Sequence, residues 1–314
     1  MSTEIKRLLT GLQPSGNLHI GNYFGALKPF LDIYENYESY LMVADYHALT
    51  SLRDPESLRR NTLNIVRDYL AVGLDPDKVV IFRQSDNQDH MELAWILNCM
   101  VTVPFLQQAH SYKDKLAKEL EPNVGLFTYP MLQASDIVLY NTDLVPVGED
   151  QRQHIEYTRE AVGKFNRTFG ETLKAPQEMI LKSVGIIPGT DGEKMSKSYK
   201  NTIPLFGTTS EIEKAVMSIV TDSQGERPEN VYAIHKLFRQ EKELESIYDE
   251  NRGRYGDSKK LLIADIEKFI SPLREKRSLI TDEDVKEVLK SGAEKAKSVS
   301  SKTLATVRKA IGID

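Results

Sequence analysis

Along the first 150 residues, short runs of apolar and β-branched side chains alternate with longer stretches whose apolar positions recur at helical spacing. That is the pattern of a parallel sheet wrapped by helices. Strands are expected at Ile5–Leu9, Tyr40–Ala44, Val79–Phe82 and Leu144–Val147. After the first strand, the turn Gln13, Pro14, Ser15, Gly16 and Asn17 leads into helical sequence near His19. Asp54 followed by Pro55 marks a helix start and Gly73 its end, with Leu63, Val66 and Leu70 on one face. Further helices are predicted over Asp89–Val101, Phe105–Leu120, Met131–Leu139 and Asp150–Phe165. PGTDGEKMSKSY, from Pro188 to Tyr199, lacks apolar periodicity and reads as a mobile surface loop. Beyond Thr208 the pattern is wholly helical, at Glu211–Val220, Val231–Phe238, Lys242–Tyr248, Ser258–Phe269 and Asp282–Ile311.

Of 314 residues, 40% are hydrophobic and 28% charged, which fits a packed chain and excludes wholesale disorder. No run approaches the roughly 18 apolar residues of a membrane helix, and the start lacks the apolar stretch of a signal peptide. A cytoplasmic protein without membrane association is expected. The single cysteine, Cys99, excludes an intrachain disulfide and a multi-cysteine metal site; within WILNCMV it reads as a small core residue. The net charge of -5 hides an asymmetry, because residues 252–314 carry 15 Lys and Arg against 10 Asp and Glu. This basic tail, with Lys286, Lys290, Lys295, Lys297, Lys302, Arg308 and Lys309, is either a docking face for a polyanion or a solvated helical face.

Three constellations could carry chemistry. In PSGNLHIGN, Pro14 to Asn22, a helix begins after a strand, so unpaired N–H groups and a partial positive charge point at whatever lies ahead. His19 and Asn22 are three residues apart and could face one anion, while Gly21 leaves room for a flat base or sugar. The spacing is neither a dinucleotide fingerprint nor a Walker loop. In EKMSKS, Lys194 and Lys197 bracket Met195 and Ser196, with Ser198 following; two ammonium groups on a flexible strip can neutralise a departing pyrophosphate. In TYPMLQASD, Asp136 sits in an apolar helix and needs a donor, either from a ligand or from an internal partner. Asp45 and His47, in ADYHALT, either wall a pocket or are satisfied core residues. Gly148, Glu149 and Asp150 lie where a strand ends, placing Asp150 as an acceptor for ribose hydroxyls or as a helix cap completed by Gln153.

Taken together, the motifs resemble a known family. HIGN is similar to the HIGH element of class I aminoacyl-tRNA synthetases, with Asn22 in place of the last His, and KMSKS matches in full. GLQPSGNLHIGNYFGAL, YPMLQASDIVLYNTDLVPVGEDQRQHIE and VTDS resemble the bacterial tryptophanyl branch over essentially the whole chain. The resemblance implies a Rossmann-type parallel-sheet catalytic domain over 1–200 and an all-helical anticodon-binding domain over 201–314, an α/β chain overall. It implies a homodimer that uses ATP with Mg2+ to activate L-tryptophan and passes it to tRNA(Trp).

Carried onto matching positions, the family assigns Gln13, Pro14, Ser15, Gly21, Asn22, Gly148, Glu149, Asp150, Ile187 and the KMSKS residues Lys194 to Ser198 to ATP. It assigns Asp136, Gln13, Tyr129, Gln133, Gln151 and His47 to tryptophan, and His19, Lys115, Lys194 and Lys197 to catalysis; no metal ligand among the side chains is implied. Gln133, where the tryptophanyl pattern often has Met, is similar to the tyrosyl enzymes. Tyrosine specificity is therefore the alternative, followed by another nucleotidyltransferase and by a catalytically silent RNA-binding relative.

Overall fold

The computed structural model describes residues 5–117, 122–148, 152–181, 185–221 and 227–313. Its sheet has five strands, β1 (Arg7–Leu12), β2 (Glu38–Val43), β3 (Val79–Arg83), β4 (Leu144–Val147) and β5 (Gln177–Ile180), in the order β3-β2-β1-β4-β5. Every pairing is parallel. Arg7 to Leu12 pair in step with Glu38 to Val43, and Leu8 pairs with Leu144. The strand order reverses between β1 and β4, so the ends of these two strands diverge and leave a crevice. The interior strand β2 is buried on both faces from Ser39 to Val43, as a parallel sheet covered by helices requires.

Around the sheet lie α1 (Ile20–Asn22), a π-helical turn (Tyr23–Leu27), α2 (Lys28–Leu31), α3 (Asp45–Ala48), α4 (Pro55–Ala71), α5 (Asp89–Asn98), α6 (Val103–Leu106), α7 (His110–Ala117), α8 (Val124–Val138) and α9 (Arg152–Phe169). Five more follow β5: α10 (Thr209–Met217), α11 (Glu229–His235), α12 (Glu241–Glu250), α13 (Tyr255–Leu279) and α14 (Asp282–Ile311). Period-two alternation along each strand sorts side chains to opposite faces. Leu8, Leu41, Val43 and Ile81 pack with Ile65, Val66 and Tyr69 of α4 and with the later helices, whereas Leu9, Tyr40, Met42 and Phe82 pack with α5, α8 and α9.

Helix α14 serves both layers: Val285 and Leu289 join the first cluster, and Ala296, Leu304 and Val307 the second. Between them Gly292 lies against the edge strand β3, where an added Cβ would stand 1.8 Å from the Ile81 carbonyl oxygen. The helix thus covers a strand edge that would otherwise be open to pairing.

Several expectations shift. The first strand runs to Leu12 rather than ending at Leu9, and β5, whose QEMI sequence opens on two polar residues, had no apolar pattern to announce it. The helix expected from Met131 begins at Val124 and carries Pro130 inside it. There Asn123 caps the Leu126 N–H, and burial of Pro130, Met131 and Ala134 outweighs the missing proline donor. The predicted Phe105–Leu120 helix is two pieces, α6 and α7. Leu63 and Leu70 flank the buried face of α4, which centres on Ile65, Val66 and Tyr69. Cys99 is exposed rather than in the core, because α5 ends at Asn98 and turns it outward. Among the described residues, no helix is long and apolar enough to cross a membrane.

Candidate active site

A cavity of about 510 Å³ opens in the crevice between β1 and β4. Gly11, Leu12 and Gln13 line it from one strand end, Val145 to Gly148 from the other, and Tyr129, Gln133 and Asp136 from α8. His47 also lines it, whereas Asp45 does not; the Asp45 carboxylate accepts the Tyr46 and Ser85 N–H groups and the Ser85 hydroxyl instead.

Asp136 is 2% exposed and already has donors within the protein. His90 Nδ1 lies 2.6 Å from Oδ1, His47 Nε2 2.8 Å from Oδ2, and the Gln84 amide donates to both oxygens at 2.8 and 3.0 Å. Burial pushes its pKa up, but hydrogen bonds and charge from His47 and His90 outweigh that and hold it at about 2. A carboxylate offers about four lone-pair sites. Each oxygen has two close donors, His90 and Gln84 on Oδ1 and His47 and Gln84 on Oδ2, and His47 and Asp136 together face the cavity. Gln84 and His90 escaped the sequence reading because neither adjoins a recognisable motif.

The turn after β1 forms the second part of the site. His19 caps α1: its Nδ1 accepts the Asn22 N–H at 3.2 Å, and the Asn22 side chain accepts the His19 N–H at 3.3 Å. The pair thus clasp one another's backbone instead of both pointing forward. With Nδ1 accepting, neutral His19 carries its proton on Nε2 and can donate there. Burial, then the nearby Lys197 charge, lowers its pKa to about 4.

Lys197 reaches across from the KMSKS segment, its Nζ 2.9 Å from the Gly16 carbonyl oxygen and 3.5 Å from Ser15 Oγ. Burial lowers the Lys197 pKa, and the Asp68 charge opposes this. Asp68 is itself raised to about 6 by burial, against the pull of Arg277, 2.5 Å away on α13. Beside Lys197 and His19, a further cavity of about 480 Å³ is lined by Asn17, Lys200 and Lys214.

The KMSKS segment is anchored. Met195 and Ile187 are buried, and the Met195 N–H donates to the Ile187 carbonyl at 2.9 Å. A Cβ at Gly21 would lie 3.2 Å from that of Met195, so Gly21 admits the loop's own side chain. Buried Asn201, absent from the expected site, organises the turn: it accepts the Ser196 N–H at 2.7 Å and donates to Asp191 and the Lys194 carbonyl. Ser196 caps the short turn through the Ser198 N–H at 3.3 Å, Lys194 is exposed, and Pro14 is buried beside exposed Gln13 and Ser15.

Tyr129 lies 3.4 Å from His154 Nδ1 through its hydroxyl. Glu149, Asp150 and Gln151 lie outside the described residues, as does the side chain of Lys115 on α7.

Two cationic or donor groups from distant stretches therefore converge next to a cavity walled by a buried acid, at a sheet switch point. The family described as tRNA synthetases class I (W and Y) matches residues 1–296. The chain belongs to that family. It is an aminoacyl-tRNA ligase with the expected parallel-sheet fold. A Tryptophan--tRNA ligase of Fusobacterium nucleatum is 45% identical, covering 98% of both chains, and one from Rhodopirellula baltica is 42% identical over 98% of this chain and 99% of its own. The crystal structure of tryptophanyl-tRNA synthetase from Campylobacter jejuni complexed with ADP and tryptophane superposes with a TM-score of 0.91 at 41% identity, covering 98% of this chain and 99% of that one. In this synthetase the HIGN and KMSKS segments meet through Gly21 and Met195.

Proposed function

We infer that the chain is a tryptophan–tRNA ligase, which joins L-tryptophan to ATP as tryptophanyl-adenylate, releases pyrophosphate and transfers the amino acid to tRNA(Trp). The observation that carries this reading is the buried Asp136 carboxylate on the wall of the switch-point cavity, beside the turn that Lys197 bridges. The indole N–H is the donor that Oδ2 would accept, in place of one of its two present donors, His47 and Gln84. Gln133, Tyr129 and His47 line the same cavity and would shape it around the ring, with Gln13 toward the carboxylate.

The tryptophan carboxylate attacks the α-phosphorus in line, so no covalent enzyme intermediate forms and catalysis is positioning plus charge stabilisation. His19 donates from Nε2 to the phosphates, Lys197, held at Gly16, faces the leaving pyrophosphate, and Lys194 and Lys115 supply further charge. Ser15, Asn22 and Gly148, with Glu149 and Asp150, hold the nucleotide. Among the described residues no cluster of three His, Cys, Asp or Glu could hold a metal. The Mg2+ of this reading arrives on the ATP oxygens as part of the substrate.

Residues 201–314 serve as the anticodon-binding domain. Their basic helix is partly engaged within the chain, since Lys297 pairs with Asp89 and Arg308 with Glu92, which leaves Lys290, Lys295, Lys302 and Lys309 as the exposed cations facing a tRNA backbone. The enzyme acts as a homodimer in the cytoplasm; Trp95 and Met91, one helical turn apart on the outer face of α5, are 72% and 47% exposed and form the apolar contact.

Pyrophosphate exchange run with each of the twenty amino acids tests the reading. Exchange with tryptophan alone is expected. Exchange with tyrosine alone transfers the assignment to a tyrosyl enzyme, and tight tRNA binding without any exchange marks a silent relative.

A further inference from the structure

Behind Asp136 lies a run of buried polar groups that the chemistry above does not use. His90 is 0% exposed, and its Nε2 lies 2.8 Å from the Tyr140 hydroxyl while Nδ1 meets Asp136. The Asn87 amide donates to that hydroxyl at 3.1 Å and to Ser300 Oγ at 2.8 Å. Ser300 donates on to Asp89 at 2.6 Å, and Asp89 pairs with Lys297. Ser300 and Lys297 belong to α14, so the run joins the cavity wall to the last helix.

One proton assignment satisfies every partner. A carboxylate accepts, so Nδ1 of His90 carries the proton and Nε2 is an acceptor. The orientation of the Asn87 amide is fixed from its other end, because its oxygen accepts the Asp89 N–H at 3.2 Å and Lys297 Nζ at 3.3 Å. Its two N–H donors then point at Ser300 and Tyr140. The Tyr140 hydroxyl, accepting from Asn87, turns its own proton to His90, and Ser300 likewise donates to Asp89. His90 also stacks on Phe82, with ring centroids 6.2 Å apart, which leaves the imidazole one plane to occupy.

We propose that His90 is a positioning residue for amino-acid selection: held by Tyr140 and, through Asn87, by Ser300 of α14, it fixes the orientation of the Asp136 carboxylate, with Oδ1 toward His90 and Oδ2 toward His47 on the cavity wall. This rests on the reading of Asp136 as the indole acceptor. Loosening the far end of the run lets the carboxylate rotate, which weakens tryptophan binding without touching ATP or the reacting atoms.

The test is steady-state pyrophosphate exchange with tryptophan and with its isostere in which sulfur replaces the ring N–H. Tyr140→Phe removes only the hydroxyl that orients His90, and Ser300→Ala only the contact from α14. In Tyr140→Phe the KM for tryptophan is expected to rise about tenfold, as for a buried group left without its partner. Its kcat and the KM for ATP should stay within about twofold, while preference for tryptophan over the isostere shrinks in step. Ser300→Ala should show the same pattern more weakly. His90→Asn, whose amide can still donate to Asp136, should retain more of the preference than His90→Leu. An undiminished preference in Tyr140→Phe and His90→Leu overturns the proposal, and so does an equal loss on both substrates, which marks a merely structural role. A wild-type enzyme with no preference for tryptophan over the isostere instead defeats the indole reading of Asp136.

Discussion

Lys197 donates to the Gly16 carbonyl across 2.9 Å although 181 residues separate them. The contact holds a partly desolvated ammonium over the turn that leads into α1. Charge placed there in advance stabilises a departing pyrophosphate without reorganisation. Lys197→Ala is expected to lower kcat for tryptophan-dependent exchange by about 10²- to 10³-fold. The KM for tryptophan should hardly move, because Asp136 and its donors lie on the other side of β1. Single-turnover adenylate formation measures this directly, and a variant with normal kcat but a raised KM for tryptophan would place Lys197 in the wrong subsite.

His19 acts as a neutral donor. Burial and Lys197 bring its pKa to about 4, below the ordinary 6.5. The unfolded chain therefore takes up this proton first as pH falls, so the contribution of His19 to stability is complete above about 6.5 and declines from there toward 4. Catalysis should show no inflection assignable to His19 between about pH 5 and 8. His19→Asn keeps a side-chain acceptor for the Asn22 N–H, since Asn is a favoured helix cap, but loses the Nε2 donor. Its Tm should stay within about 3 °C of wild type, with kcat down about 10²-fold; a cap role alone predicts unchanged kcat.

What could be read from the sequence divides along physical lines. The strands β2, β3 and β4 were legible as short apolar, β-branched runs, and α14 as a long stretch with apolar positions at helical spacing, which starts at a Thr281–Asp284 capping box and ends at Gly312 in the left-handed conformation. Strand β5 was not, since it opens on Gln and Glu and none of its four residues is buried. In the site, His19, Lys197 and Asp136 stood out through local motifs. Gln84, His90 and Asn201 did not, because what defines them is a side chain hydrogen-bonded to a group 5 to 52 residues away, and one-dimensional spacing carries no sign of that. Gly21 was legible as a close approach, and a Cβ there would meet His19 Nδ1 at 2.9 Å and the Met195 Cβ at 3.2 Å.

Gly292 makes a sharper demand than any glycine in the turns. Its missing side chain is what allows α14 to lie on β3, with the Ile81 carbonyl oxygen 1.8 Å and its carbon 2.6 Å from where a Cβ would be. Both atoms are backbone and cannot rotate aside. Gly292→Ala should therefore destabilise the fold by about 3 kcal/mol, the upper end for overpacking, despite the helix-propensity gain of about 1 kcal/mol that alanine offers. Thermal or urea unfolding reads the sign; a stabilised variant would mean that the helix does not seat on the strand.

Helix α5 has two faces with different tasks. His90, Leu93, Ala94 and Leu97 point inward, while Met91 and Trp95 point out. A tryptophan 72% exposed beside a methionine 47% exposed is an apolar surface of the kind that aromatic interface anchors supply. If it lies between two copies of the chain, Trp95→Arg should shift the sedimenting species from dimer to monomer, placing a charge where two apolar patches meet. Trp95 is also the only tryptophan in the chain, so its emission reports the same event in the wild-type protein. Dilution through the dissociation constant should move the maximum to longer wavelength as the indole becomes wet. A dimer that survives Trp95→Arg, with emission independent of concentration, would put the contact on another face.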